Sequence, residues 1–434
     1  MSLADKASLL LIPTGYKSQK VYSIFPTDGV GDFDFSRSSS ATRIAKNGLI
    51  TTVAANVPRL EYPLIDGVVS GCPSLLLEPQ RTNLIQYSED FSQSYWTKLS
   101  ISITSNSVIS PDGSLNASSF TQSGGTAEHS IYHSLPTITS GAKYTGSVFL
   151  KYDDWQYFQV RFRSGGFGGE IGVIYDAINK TITTTNGSLL SYKVEEYAND
   201  WVRISIVVQS TSASNYAGLV VAYNNSGNVF NDPDSVPNTG ANVYIFGAQI
   251  EQGSYPTSYI PTNGSAVTRL AETCNNSGDA STFNDSEGVL MAEISFSEIS
   301  RLSINDGSTS NRLIIGQDGD GDIRALVTSS TTPIFDVASG VVLNVLGETL
   351  KMALKYKQND FALWVNGVEV ATENSGATPS GLNVLEFTAQ GLNTYGNTKQ
   401  IQYYNSALTD SELEQLTSWT SFSDMATSQL YSIE

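Results

Sequence analysis

Several small groups of residues have the types and spacing to do chemistry. Trp155, Tyr157, Gln159, Arg161 and Arg163 occupy alternate positions of one short segment, so an extended chain sets them on a single face, with Phe158, Val160 and Phe162 on the other. Sugars present apolar CH faces and hydroxyl edges, and flat rings beside amide and guanidinium donors match both. Protein interfaces favour the same residues. The face is therefore read as a glycan contact, or as a surface covered by the N-terminal segment or by a partner subunit.

Acidic residues offer less. Asp318-Gly-Asp-Gly-Asp322 begins like a calcium loop but continues Ile323-Arg-Ala-Leu, without a bidentate Glu at the twelfth position, and reads as an acidic hairpin turn. Glycoside hydrolysis needs two carboxylates facing across a cleft. Asp153-Asp154 and Glu195-Glu196 are adjacent and diverge on an extended chain, so no catalytic residue is assigned and an enzyme is not expected. His129 and His133 flank a strand-like Ser130-Ile131-Tyr132, which separates them for zinc and places no nucleophile nearby. Gly165-Gly-Phe-Gly-Gly169 precedes no helix and reads as a loop between strands. No metal or other cofactor is implied.

The elements that position these groups are strands. Alternation recurs at Trp201 to Val208 and Val243 to Ile250, with turn signals at Asp112-Gly113, Asn186-Gly187, Ser226-Gly227 and Asn366-Gly367. Phe361 to Val370 is the clearest hairpin, because Asn-Gly suits a two-residue primed turn. Thr409-Asp-Ser-Glu412, followed by Leu413 and Leu416, is the one capped helix start. Trp201 and Trp364 read as packing residues. The fold class expected is all-β: two tandem antiparallel β-sandwiches of jelly-roll type behind an irregular N-terminal β segment. The divisions are 1–80 for a docking segment, 81–270 for the first sandwich, 271–285 for a linker and 286–434 for the second sandwich with its short helix. The first segment is expected to complete its structure against the following domain or a neighbouring subunit.

Composition narrows the function. In 434 residues, 42 acidic side chains oppose 24 basic ones, for a formal charge of -18, which repels phosphate backbones and argues against nucleic acid as a partner. No apolar stretch approaches the roughly 20 residues of a membrane span, so a soluble protein without membrane insertion is expected. Leu9-Leu-Leu-Ile12 is too short for a secretory signal. Cys72 and Cys274 read as two reduced thiols.

Three stretches carry a resemblance. Phe35-Ser-Arg-Ser-Ser-Ser-Ala-Thr-Arg43 with Asn47-Gly-Leu-Ile50, and then Pro73-Ser-Leu-Leu-Leu-Glu-Pro-Gln-Arg-Thr-Asn-Leu84, resemble the N-terminal part of bacteriophage tail-fibre and head-fibre proteins. Residues 84–270, with Trp96, Trp201-Val-Arg-Ile, Gly247-Ala-Gln-Ile-Glu-Gln-Gly253 and Thr257-Ser-Tyr-Ile-Pro-Thr262, are similar to the jelly roll of such proteins, which looks like a carbohydrate-binding module. From 286 onward, Phe361 to Val370 and Ile401-Gln-Tyr-Tyr-Asn-Ser-Ala-Leu-Thr-Asp410 resemble a laminin-G-like or concanavalin-like sandwich. The resemblance implies a non-enzymatic virion structural protein (fibre, spike or capsid decoration) assembled in the host cytoplasm and exposed on the particle. Its implied partners are other virion proteins through the N-terminal segment, further copies of itself with a trimer preferred, and a host surface glycan. A dedicated glycan receptor or a polysaccharide-degrading enzyme are the alternatives.

Overall fold

Among the described residues, period-two patterning is realised as antiparallel sheet, with one α-helix at Asp410–Ser418. The computed structural model describes residues 3–418 apart from 124–127, 136, 215–217, 225, 231–239, 298–299, 319–320 and 343–348. The all-β expectation holds.

The first sandwich packs two six-stranded sheets. Its back sheet runs Ile101–Ile109, Leu115–Gln122, Asn242–Gln252, Lys143–Tyr152, Trp201–Gln209, Ser191–Tyr197. Its front sheet runs Thr97–Leu99, Ser130–Tyr132, Leu219–Tyr223, Tyr157–Phe162, Ile171–Asp176, Thr181–Asn186. Phe158, Val160 and Phe162 meet Val202, Ile204, Ile206 and Val208 in the core between them, as alternation requires. The glycine-rich stretch 165–169 joins the paired strands Tyr157–Phe162 and Ile171–Asp176 and drops Phe167 into that core. Asn186-Gly187 turns the chain from the front sheet to the back rather than closing a hairpin.

The second sandwich sets an eight-stranded sheet on a five-stranded one. Asn366 and Gly367 both take positive φ, 47° and 84°, as the primed turn demands, and Val365 faces Val368 across it. Thr409 and Glu412 form a capping box: the Thr409 N–H donates to Oε2 of Glu412 at 2.9 Å, and the Glu412 N–H donates to the Thr409 hydroxyl at 3.3 Å. The helix lays Leu413 and Leu416 against Met291, Ala353 and Trp364 on the outer side of the large sheet. Asp318 and Asp322 close the hairpin between Arg312–Gln317 and Asp322–Ser329, the Asp318 N–H donating to the Asp322 carbonyl at 2.9 Å. Gly319 and Asp320, the middle of that motif, lie outside the described residues.

The N-terminal segment is woven into both sandwiches. Leu9–Leu11 pairs with Gly396–Tyr404 in the register Leu9 to Tyr403. Ser74–Leu77 pairs with the same strand and with Arg59–Glu61. Leu9, Leu11, Leu75 and Leu77 thereby enter the core of the second sandwich, beside Leu290, Ile294 and Ile401. Meanwhile the hairpin Ala41–Ile44 and Ile50–Val53 lays Ile44 and Ile50 over Phe149, Trp201, Phe246 and Tyr259 on the outer face of the back sheet. Phe33–Ser36 pairs with Thr273–Asn275, so the stretch expected to be a linker contributes a strand.

Candidate functional site

The strand Tyr157–Phe162 turns Gln159 and Arg161 to the outer face of the front sheet, but both are buried. A buried guanidinium has to be satisfied on nearly every N–H. Arg161 donates to Oε1 of Gln159 at 2.7 Å and to Oε1 of Glu128 at 2.6 Å, and Oε2 of Glu170 lies 3.4 Å from its Nε. Gln159 passes the chain on, donating to Oδ1 of Asn224 at 2.6 Å. On the same face the buried Ser130 hydroxyl has no hydrogen-bond partner among the described residues. Arg163 lies over the Tyr132 ring at 3.9 Å. Tyr157, half-buried, completes this row.

Trp155 departs from the row. The chain is not extended from Asp153 to Gln156, which breaks the alternation, and the indole packs against the core edge-on to Tyr223 at 6.0 Å while its N–H donates to the Asn224 carbonyl at 3.0 Å. The same bend brings Asp153 and Asp154 together: both accept from Asn242, at 2.7 and 2.6 Å, instead of diverging. The N-terminal segment covers a sandwich face, but it is the back one, over Trp201, and not this one. His133 stacks on Tyr95 with ring centres 3.5 Å apart, and burial lowers its pKa.

The largest set of buried charges is elsewhere, and no spacing rule pointed to it. Where the segments cross between the sandwiches, Arg81–Asn83 pairs with Val267–Arg269. Arg37, Arg59 and Arg269 surround Glu78 and Glu272 there, and all five are buried. Arg59 donates from Nε to Glu272 at 2.9 Å, closes a second, shorter bond to the same carboxylate, and reaches Glu78 at 2.7 Å. Arg37 meets Glu272 at 2.6 Å, and Arg269 meets Glu78 at 2.8 Å. Ser258 donates to Glu78 from both its N–H and its hydroxyl, at 2.7 and 2.6 Å. Burial alone raises the Glu78 pKa, but Arg269 and Arg59 hold it down to about 2. Beside them, Glu61 accepts the Ile44 N–H at 2.7 Å, and burial pushes its carboxyl up to about 8.

This junction unites the stretches on which the resemblance rests. Arg37, Thr42, Glu78 and Asn83 come from the N-terminal motifs and Gln249, Glu251, Thr257 and Ser258 from the jelly-roll motifs, whereas Arg59, Arg269 and Glu272 lie outside the motifs. Asn83 fills its amide, donating to the carbonyls of Ala248 and Ile260 and accepting the N–H groups of Ile85 and Ile250. A sequence signal exists in hindsight: Arg59 and Glu78 each adjoin leucines in strand-like runs, and charges on apolar strands are buried only when paired. The chemistry of the junction is mutual neutralisation. Among the described residues, no three His, Cys, Asp or Glu side chains gather as metal ligands, and no helix is long and apolar enough to cross a membrane.

No protein-family model matches the sequence, and no curated protein matches it. Among solved structures, the CBM40 module of the Ruminococcus gnavus IT-sialidase bound to α2,3-sialyllactose is 19% identical over 32% of this chain and 92% of that one, with a TM-score of 0.28. Domain 4 of AbnA, a GH43 extracellular arabinanase from Geobacillus stearothermophilus, in complex with arabinotriose, is 15% identical over 38% of this chain and 83% of that one, with a TM-score of 0.28. Mouse laminin α1 chain, domains LG4-5, is 8% identical over 66% of this chain and 92% of that one, with a TM-score of 0.23. Likenesses of this size leave the chemistry of each surface to be argued from its own residues.

Proposed function

We propose that the protein is a non-enzymatic structural component of a bacteriophage virion, a fibre, spike or capsid decoration that holds two β-sandwiches in fixed relation at the particle surface. The observation that carries this reading is the junction. Arg37 and Glu78, from stretches that resemble virion proteins, join Arg59 in buried ion pairs with Arg269 and Glu272, so these distinctive residues serve rigidity. A part that displays a surface or transmits force needs that property. Cryo-electron microscopy of purified particles tests the proposal: density fitting two tandem sandwiches is expected, and a particle without it refutes the role. Assembly as a trimer belongs to the same reading, and a monomer in sedimentation at micromolar concentration removes it.

A second reading, host-glycan contact at the outer face of the front sheet, is favoured by the Arg161–Gln159–Asn224 chain next to the unpartnered Ser130 hydroxyl. Glycan-array binding that is lost in Arg161→Ala but retained in Trp155→Ala is expected, since Trp155 faces the core. An unaltered protein that binds no glycan leaves the structural role alone.

A further inference from the structure

The two sheets of the first sandwich part at the end where Lys143–Tyr152 and Ile171–Asp176 finish, and a cleft of about 340 Å³ opens there. Its floor is core: Leu150, Tyr175 and Val202 are buried. Its rim is not. Tyr152 is 41% exposed and Ile178 55%, and Lys151, Lys180 and Asp200 complete the lining. The volume lies at the lower end of ligand pockets, and an apolar floor with a few convergent polar groups is the usual form of one.

The surroundings support a binding role. The hairpin of Leu64–Ile65 and Val68–Val69 is seated against the neighbouring turn so closely that a Cβ on Gly67 would lie 2.5 Å from the Tyr197 carbonyl oxygen. Its tip carries Ile65 and Val68, 62% and 68% exposed. Ile178 on the rim and this hairpin tip, which is not part of the lining, both leave large apolar side chains in water.

Charge and donor inventory select the ligand class. Lys180 pairs with Glu196 at 2.6 Å, while Lys151 shares the outer face of the back sheet with Trp201 and donates to the Asn199 carbonyl at 2.8 Å. The Lys180 ammonium has three N–H groups and keeps some to give. Glu196, Asp200 and, from the adjoining hairpin, Asp66 surround Lys180, so the rim does not favour an anion. It offers donors, an acceptor and an aromatic ring above an apolar floor. Those are the demands of an uncharged polyhydroxylated ring, which pairs a CH face with hydroxyl edges.

We propose that this cleft binds one or two neutral sugar units, with the Tyr152 ring against the CH face and Lys180 and Asp200 hydrogen-bonded to hydroxyl groups. The site is separate from the front-sheet face and does not depend on the virion role. The test titrates the full chain with D-galactose, D-glucose, N-acetyl-D-glucosamine and lactose, using N-acetylneuraminic acid as the charged comparator, and reads binding by saturation-transfer NMR. At least one neutral sugar is expected to bind saturably, about tenfold more weakly to Tyr152→Ala and to Asp200→Ala, and equally well to Val368→Ala in the second sandwich. Melting curves verify that each variant is folded, and Ile178→Ser replaces any that is not. The proposal is overturned if no neutral sugar binds, if N-acetylneuraminic acid binds as well as they do, or if binding survives the cleft variants and is lost in Arg161→Ala.

Discussion

The back and front sheets of the first sandwich each bury an arginine on the outer face, and the two faces are finished in different ways. On the back, Arg203 donates to the Thr257 carbonyl at 2.8 Å and the Ser147 hydroxyl at 2.9 Å beside the Phe149 ring, and the hairpin 41–53 closes over its apolar neighbours. On the front, Arg161 is held by Glu128 and Glu170, whose side chains remain 38% and 29% exposed. A face closed by its own chain behaves as core, whereas one held by half-solvated carboxylates can exchange those partners for others. Stability belongs to the back face and its junction, and exchangeable contacts belong to the front.

The contrast can be broken from its strongest side first. Arg59→Ala leaves Glu78 and Glu272 buried without their shared cation and is expected to cost about 4 kcal/mol, read by chemical denaturation; a loss below about 1 kcal/mol means that the junction does not hold the N-terminal segment. Trp201→Ala removes a fully buried indole whose N–H donates to the Ile109 carbonyl at 3.0 Å, and a cost of about 3 kcal/mol is expected.

The pH dependence should also come from the junction. Glu78, held below its ordinary 4.5 at about 2, contributes stability that is present above pH 4.5 and fades as pH falls toward 2. Glu61, raised to about 8, contributes stability that is present below pH 4.5 and is lost as pH rises toward 8. Melting temperature against pH should therefore decline between about 5 and 8, and Glu61→Gln should flatten that limb. The smallest effect is expected at the front: Arg161→Gln releases carboxylates that can return to water, for about 1 kcal/mol or less. A loss matching that of Arg59→Ala would erase the distinction between the faces.

What could be read from the sequence was local. Asn366-Gly367, the Thr409 cap and the alternation of Phe158, Val160 and Phe162 depend on residues within a few positions of one another, and each formed as its pattern required. Trp155 failed for an equally local reason, since period two holds only while the chain stays extended, and the chain bends at Asp153 and Asp154 just before it. The larger omissions are matters of distance. Nothing near Arg59 announces Glu272, 213 positions away, and nothing near Leu9-Leu-Leu-Ile12 shows that it is a strand awaiting Tyr403. Without those pairings the N-terminal segment looks like a docking arm; with them it is the seam of the molecule.

The seam also sets a timetable for synthesis. Ser8 donates through its hydroxyl to the carbonyl of Tyr403, 395 positions later, and Leu9–Leu11 lies in the same register. At ribosomal rates of about 5 to 20 residues per second, the strand Leu9–Leu11 waits roughly 20 to 80 s for its partner. The first sandwich can close during that interval. The leucines of the N-terminal strands cannot, and they remain a sticky unpaired edge until Gly396–Tyr404 has emerged. Nascent chains stalled before residue 396 should therefore carry a folded jelly roll and a protease-sensitive N-terminal segment, and a deletion of Gly396–Tyr404 should damage residues 1–80 as much as the second sandwich.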